Sequence, residues 1–147
     1  MTTTFPTKVS AAEQASVAAL TQRLLAAWAY NDADGFADLF TEDGTLILPG
    51  VFQQGREAIR AFAKDAFENQ YKGTQVTGKP ISLRFFGSDV ALLLSSGGVL
   101  AAGETEVSDA QAIRASWFAV RVDGQWRLAA YQNSPAKRGL PTPGTNA

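Results

Sequence analysis

The chain has 147 residues, 46% hydrophobic and 18% charged, with 13 basic side chains against 14 acidic ones and a net charge of -1. These values fit one domain with a substantial core and exclude whole-chain disorder and a surface built for nucleic acid. Cysteine and histidine are both absent, which removes disulfides, thiolate chemistry, Cys- or His-based zinc sites and a Ser-His-Asp triad.

Residues 1–9 read as a polar arm without the apolar stretch of a secretory signal. Ser10 and Glu13 fit a capping box, and the run Ala11–Asn31 lacks Gly and Pro, with Leu20, Leu24 and Trp28 on one stripe. Asp32 is placed to cap a second helix, Ala33–Phe40, with Phe36, Leu39 and Phe40 inward. Thr41–Gly44 reads as a turn, Thr45–Leu48 as a short strand, and Pro49-Gly50 as its end. A third helix is expected over Arg56–Gln70, with Ile59, Phe62, Ala63, Ala66 and Phe67 on its apolar side. Beyond Tyr71 the period becomes two. Strands are expected over Ile81–Phe86, Asp89–Leu100, Ala110–Val122 and Gln125–Asn133, and residues 135–147 form a loose tail. Helices followed by a meander give an α+β domain over residues 10–134. The longest uncharged apolar run, Val90–Gly103, is too short for a bilayer. A soluble, cytoplasmic protein without a membrane partner is expected.

The Asp123-Gly124 turn sets the faces of the last two strands. A two-residue loop would put Trp126 and Leu128 beside Arg121 and Ala119. A three-residue loop with a bulge pairs Val122 with Trp126, Val120 with Leu128, Phe118 with Ala130 and Ser116 with Gln132, and gathers apolar residues on one side. The second register is preferred. It directs Arg114, Ser116 and Gln132 toward the core side, either into a cavity or at an open end that meets solvent. The other face then carries Ile113, Trp117, Ala119, Ala129 and Tyr131, apolar enough to pack against a second copy.

Several segments taken in order resemble the SnoaL-like group of the ketosteroid-isomerase and nuclear-transport-factor-like superfamily. They are Trp28–Asp32, Phe36–Asp43, Gly55–Ile59 and Asp123–Asn133. More narrowly, Trp28 with Asp32, Gly55-Arg56 and Gln132-Asn133-Ser134 resemble the SgcJ/EcaC family. The resemblance implies a cone-shaped α+β barrel, cystatin-like, in which a curved antiparallel sheet wraps the long first helix and leaves an apolar pocket. It also implies dimers, and ligands that are polyketide or polyene intermediates of enediyne antibiotic biosynthesis. Some such proteins isomerise, cyclise or hydrate their substrates, and others only bind them.

On that reading Arg114, Ser116 and Gln132 are the candidate catalytic residues, as hydrogen-bond donors rather than bases. Arg114 has an alternative, an ion pair with Glu104 or Glu106. The pocket wall is expected from Trp28, Tyr30, Phe40, Phe62, Phe67, Tyr71, Phe118 and Trp126, and the dimer interface from Ile113, Trp117, Ala129 and Tyr131. No GxGxxG loop is present and no carboxylate loop has cation geometry, so neither cofactor nor metal is expected. Three readings stay open: a catalyst, a non-catalytic carrier, and an interaction module that docks enzymes of the same pathway.

Overall fold

A computed structural model describes residues 9–136. Its elements are helix α1 (Ala11–Ala29), helix α2 (Ala33–Ala37), strands β1 (Phe40–Leu48) and β2 (Val51–Gln54), helix α3 (Arg56–Glu68), and strands β3 (Gln75–Phe85), β4 (Val90–Leu100), β5 (Ala112–Val122) and β6 (Gln125–Pro135). Of the expected arm and tail only Val9, Pro135 and Ala136 fall among the described residues, and Pro135 belongs to β6.

Local chemistry sets the helices. The Ser10 hydroxyl accepts from the Glu13 N–H at 3.1 Å. The Glu13 carboxylate does not close the box; it pairs with Arg121 on β5. Asn31, at φ 52°, takes the left-handed conformation that ends α1. The Asp32 carboxylate then caps α2 through the Gly35 N–H at 2.9 Å. Val17, Leu20, Leu24 and Trp28 are buried along one side of α1, which lies against β3 and β6.

The six strands form one curved, open sheet in the order β2-β1-β6-β5-β4-β3. It is antiparallel except for β1 and β6, which run parallel. Helices α1 and α3 cover its inner face, so the sheet curves about the helices as expected without closing into a barrel. The element boundaries differ most from the sequence reading in four places. The second helix stops at Ala37, and Phe40 already belongs to β1. Thr41–Gly44 lies within β1 as an irregular segment, where the pairing with β6 slips between Phe40 and Thr45. β2 was not foreseen; Pro49-Gly50 is a hairpin loop, with Leu48 opposite Val51. β3 begins at Gln75 instead of Ile81.

The irregular part of β1 is tied down by Gly55-Arg56. The Gly55 N–H donates to the Gly44 carbonyl at 2.7 Å. The Arg56 guanidinium grips the Phe40 carbonyl through Nε and Nη2 at 2.9 and 2.7 Å.

The expected register of the last hairpin is overturned. Asp123 and Gly124 have φ of 52° and 77° and form the two-residue loop, with Val122 opposite Gln125, Arg121 opposite Trp126 and Val120 opposite Arg127. The extra residue is Ala129: Ala119 pairs with Leu128 and Phe118 with Ala130. Phe118 with Ala130 and Ser116 with Gln132 are therefore paired as expected, but the faces are exchanged. The inner face carries Ala115, Trp117, Ala119 and Arg121 of β5 with Trp126, Leu128, Tyr131 and Asn133 of β6. Arg121 is accommodated there because its guanidinium lies 5.5 Å from the centre of the Trp126 ring and pairs with Glu13 and Asp89.

Candidate functional site

Polar groups and aromatic rings meet inside the sheet, at the end away from the Asp123-Gly124 turn. At the end of α1 the Trp28 ring lies 4.8 Å from that of Tyr71 and 5.4 Å from that of Phe67, centre to centre. Its indole N–H donates to the Thr74 hydroxyl at 2.9 Å, which in turn donates to the Tyr71 carbonyl at 2.7 Å. On the sheet, the Trp117 N–H donates to the Ser95 hydroxyl at 2.8 Å. The Tyr131 ring packs edge-on against Trp117 at 4.7 Å.

Asn133 completes the group. Its side-chain N–H donates to the Tyr131 phenol oxygen at 3.2 Å. Its own Oδ1 is buried and accepts nothing among the described residues. Since the Tyr131 oxygen already accepts a bond, its proton is available to a different acceptor. The pair thus offers one donor and one acceptor inside an aromatic enclosure.

Burial pushes both phenols above their ordinary pKa. For Tyr71 desolvation is the cause. For Tyr131 desolvation dominates, the Asn133 bond opposes it, and the nearby Tyr71 adds to it. Both therefore stay protonated at neutral pH and act as donors. The buried polar residues among those described are Thr21 and Ser95, so no buried carboxylate stands by as a general base. The arrangement can bind and orient an enol or other hydroxyl group, which accepts from the Tyr131 phenol and donates to Asn133 Oδ1.

The SnoaL-like domain family matches residues 17–137. The chain belongs to the SnoaL-like family. Solved structures agree with the fold of this SnoaL-like domain. One is a domain of unknown function with a cystatin-like fold from Nostoc punctiforme, with TM-score 0.79 and 28% identity, over 86% of this chain and 79% of that one. Another is an NTF2-like protein from Novosphingobium aromaticivorans, with TM-score 0.74 and 20% identity, over 88% and 84%. A third, from Mycobacterium tuberculosis and of unknown function, has TM-score 0.68 and 26% identity, over 84% and 71%. No curated protein matches the chain.

Within the SnoaL-like domain the predicted residues separate. Trp28, Phe67 and Tyr71 line the inner aromatic group, and Phe36 links them to the fully buried Phe40 at 5.6 Å between rings. Phe62 is half-buried against the same core. Trp126 belongs to the other end, against Phe85 at 5.8 Å. Tyr30 is 85% exposed, because it follows the last turn of α1, and Phe118 is 39% exposed on the outer face; neither lines the interior.

Arg114, Ser116 and Gln132 do come together, with their side chains on the outer side of the strands, in a hollow of about 190 Å³ that is also lined by Ser95, Ala115 and Asn133. The exchange of faces puts them there. Arg114 pairs with neither Glu104 nor Glu106. The Glu104 carboxylate accepts from the Gln111 amide and the Ala101 N–H.

The same exchange removes Trp117 and Tyr131 from the expected interface, since they are 2% and 4% exposed. Ile113 lies opposite Gly97, on the side of Trp117, and Ala129 is the bulge residue. Sequence reasoning missed Thr74, Ser95, Trp117, Tyr131 and Asn133 as inner residues. Two signals pointed to them: Asp-Gly, a strong two-residue hairpin signal, and the small inner residues Ala91, Ala115 and Ala119 that leave room for two tryptophans.

Proposed function

We propose that this SnoaL-like domain binds a small, largely apolar molecule in the interior of the curved sheet and holds one of its oxygens between Tyr131 and Asn133. The observation that carries this reading is the buried Asn133 Oδ1 with no partner among the described residues, beside a phenol whose proton is uncommitted. An unsatisfied buried acceptor is costly, roughly 1–3 kcal/mol, and a ligand O–H would offset that cost. The aromatic rings of Trp28, Tyr71 and Trp117 suit a flat conjugated framework.

The resemblance to the SgcJ/EcaC branch supports a finer proposal, that the ligand is a polyene or polyketide intermediate of antibiotic biosynthesis. With two protonated phenols and no buried carboxylate, assistance to isomerisation or ring closure comes from confinement and from hydrogen bonding to developing enolate charge. A carrier role uses the same contacts. A second copy of the chain packs on the outer face, where Ile47, Phe52, Ile81, Phe118 and Val122 are exposed and the Arg114 hollow lies.

Titration with a naphthol, followed through tryptophan fluorescence, tests the site. Tyr131→Phe and Asn133→Leu are each expected to weaken binding roughly tenfold, the worth of one hydrogen bond. Gln132→Leu, on the outer face, is expected to bind as the parent does. Equal affinity for the parent and Tyr131→Phe would remove the inner pair from the function.

A further inference from the structure

A second cleft lies at the other end of the sheet, between α1 and the tip of the β5–β6 hairpin. It has a volume of about 500 Å³ and is lined by Ser16 and Arg23 of α1, Asp38 after α2, and Gln125, Trp126 and Arg127 of β6, among others. Trp126 is roughly 20 Å along the strand from Asn133 at the rise of a β-strand, so this cleft is separate from the inner site.

The chemistry of its wall is one-sided. Arg23 makes no hydrogen bond or ion pair with any described residue. Arg127 donates to two neutral oxygens, the Asp38 carbonyl at 2.6 Å and the Gln125 amide oxygen at 2.9 Å, and its charge meets no carboxylate among the described residues. With its oxygen so engaged, the Gln125 amide has its NH2 group left to offer. Trp126 is 7% exposed and its indole N–H has no acceptor among the described residues. The other two tryptophans both donate, to Thr74 and to Ser95. The carboxylate at the rim, Asp38, is held by Arg60 at 2.8 Å, which also binds Asp34 and Glu57. Arg23 and Arg127 thus carry positive charge that no described carboxylate offsets, while the Asp38 carboxylate at the rim is turned to Arg60. Guanidinium groups with neutral N–H donors beside them recognise oxyanions.

We propose that this cleft binds the oxyanion group, phosphate or carboxylate, of a small metabolite, with Arg23 and Arg127 supplying charge and the Trp126 indole N–H a directed hydrogen bond. The volume lies within the range of small-molecule sites, so the anion is one end of a larger molecule. The site is independent of the inner Tyr131–Asn133 pair, and the two can fail separately.

The three tryptophans give three indole N–H signals in a proton–nitrogen correlation spectrum, and the Trp126→Phe variant assigns one of them. Inorganic phosphate and acetate are titrated separately at constant ionic strength, against chloride. The Trp126 signal is expected to move saturably with one or both anions, while those of Trp28 and Trp117 stay in place. A preference for phosphate identifies a phosphate ester as the ligand class; a preference for acetate identifies a carboxylate. Arg23→Gln, at a side chain without partners among the described residues, is expected to weaken the response roughly tenfold for the loss of one charge-assisted contact. A Trp126 signal unmoved by both anions overturns the proposal, as does an undiminished response in Arg23→Gln.

Discussion

The Tyr131 phenol is buried with one hydrogen bond, from Asn133. Losing that bond in Tyr131→Phe is expected to cost about 1 kcal/mol. The pH dependence has a definite sign. Burial raises the folded-state pKa above the unfolded value, so the contribution of the neutral phenol is complete below about pH 10. Above that, the unfolded chain ionises while the folded one keeps its proton, and stability falls as pH rises through the folded value. Urea denaturation across this alkaline range is expected to show a steeper loss for the parent than for Tyr131→Phe. Parallel curves would mean that the phenol is solvated in the folded state. Tyr71 is raised in the same direction by its burial.

At the scale of elements, Gly78 of β3 faces Gly97 of β4. A Cβ on Gly97 would meet the Thr77 carbonyl oxygen at 1.9 Å, and one on Gly78 would touch Leu25 of α1 at 3.9 Å. The first contact is with backbone, so it cannot be relieved by turning a side chain. Gly97→Ala is expected to destabilise by about 1–3 kcal/mol, the cost of forcing atoms into a packed region. Gly78→Ala, in ordinary van der Waals contact, is expected to cost less. Thermal unfolding of the two variants side by side checks the order. The helices behave differently, because their ends are decided within a few residues. Ser10, Asn31 and Asp32 act where the chain order predicts, and the buried stripe of α1 is the one its spacing gives. The aromatic wall of the candidate site contributed by Trp28, Phe67 and Tyr71 was legible for this reason. The sheet half of the site was not, because a strand presents two faces and only the register says which is inner.

For the molecule as a whole, the outer face is the surface left to account for. Phe52, Ile81 and Val122 are 62%, 58% and 46% exposed, and they lie on β2, β3 and β5, across the width of the sheet. If a second copy covers them, as proposed, the parent is expected to sediment as a dimer. Phe118→Glu is expected to sediment as a monomer with unchanged naphthol affinity. A monomeric parent would refute self-association through this face. No helix among the described residues is long and apolar enough to cross a membrane.

The α+β class and every element except β2 were legible from local signals. Capping residues, helical spacing, alternation and the Asp-Gly turn recur in the structure, although β1 and β3 each begin several residues before the expected strand. Tertiary structure decided which side chains share the interior. Two single-residue bulges, at Ile81 in β3 and Ala129 in β6, each reverse the alternation of the strand beyond them. Neither residue type announces a bulge. Arg121 could lie inward only because Glu13, Asp89 and the Trp126 ring converge on it from distant parts of the chain. Those long-range contacts put Trp117, Tyr131 and Asn133 inside and Arg114, Ser116 and Gln132 outside.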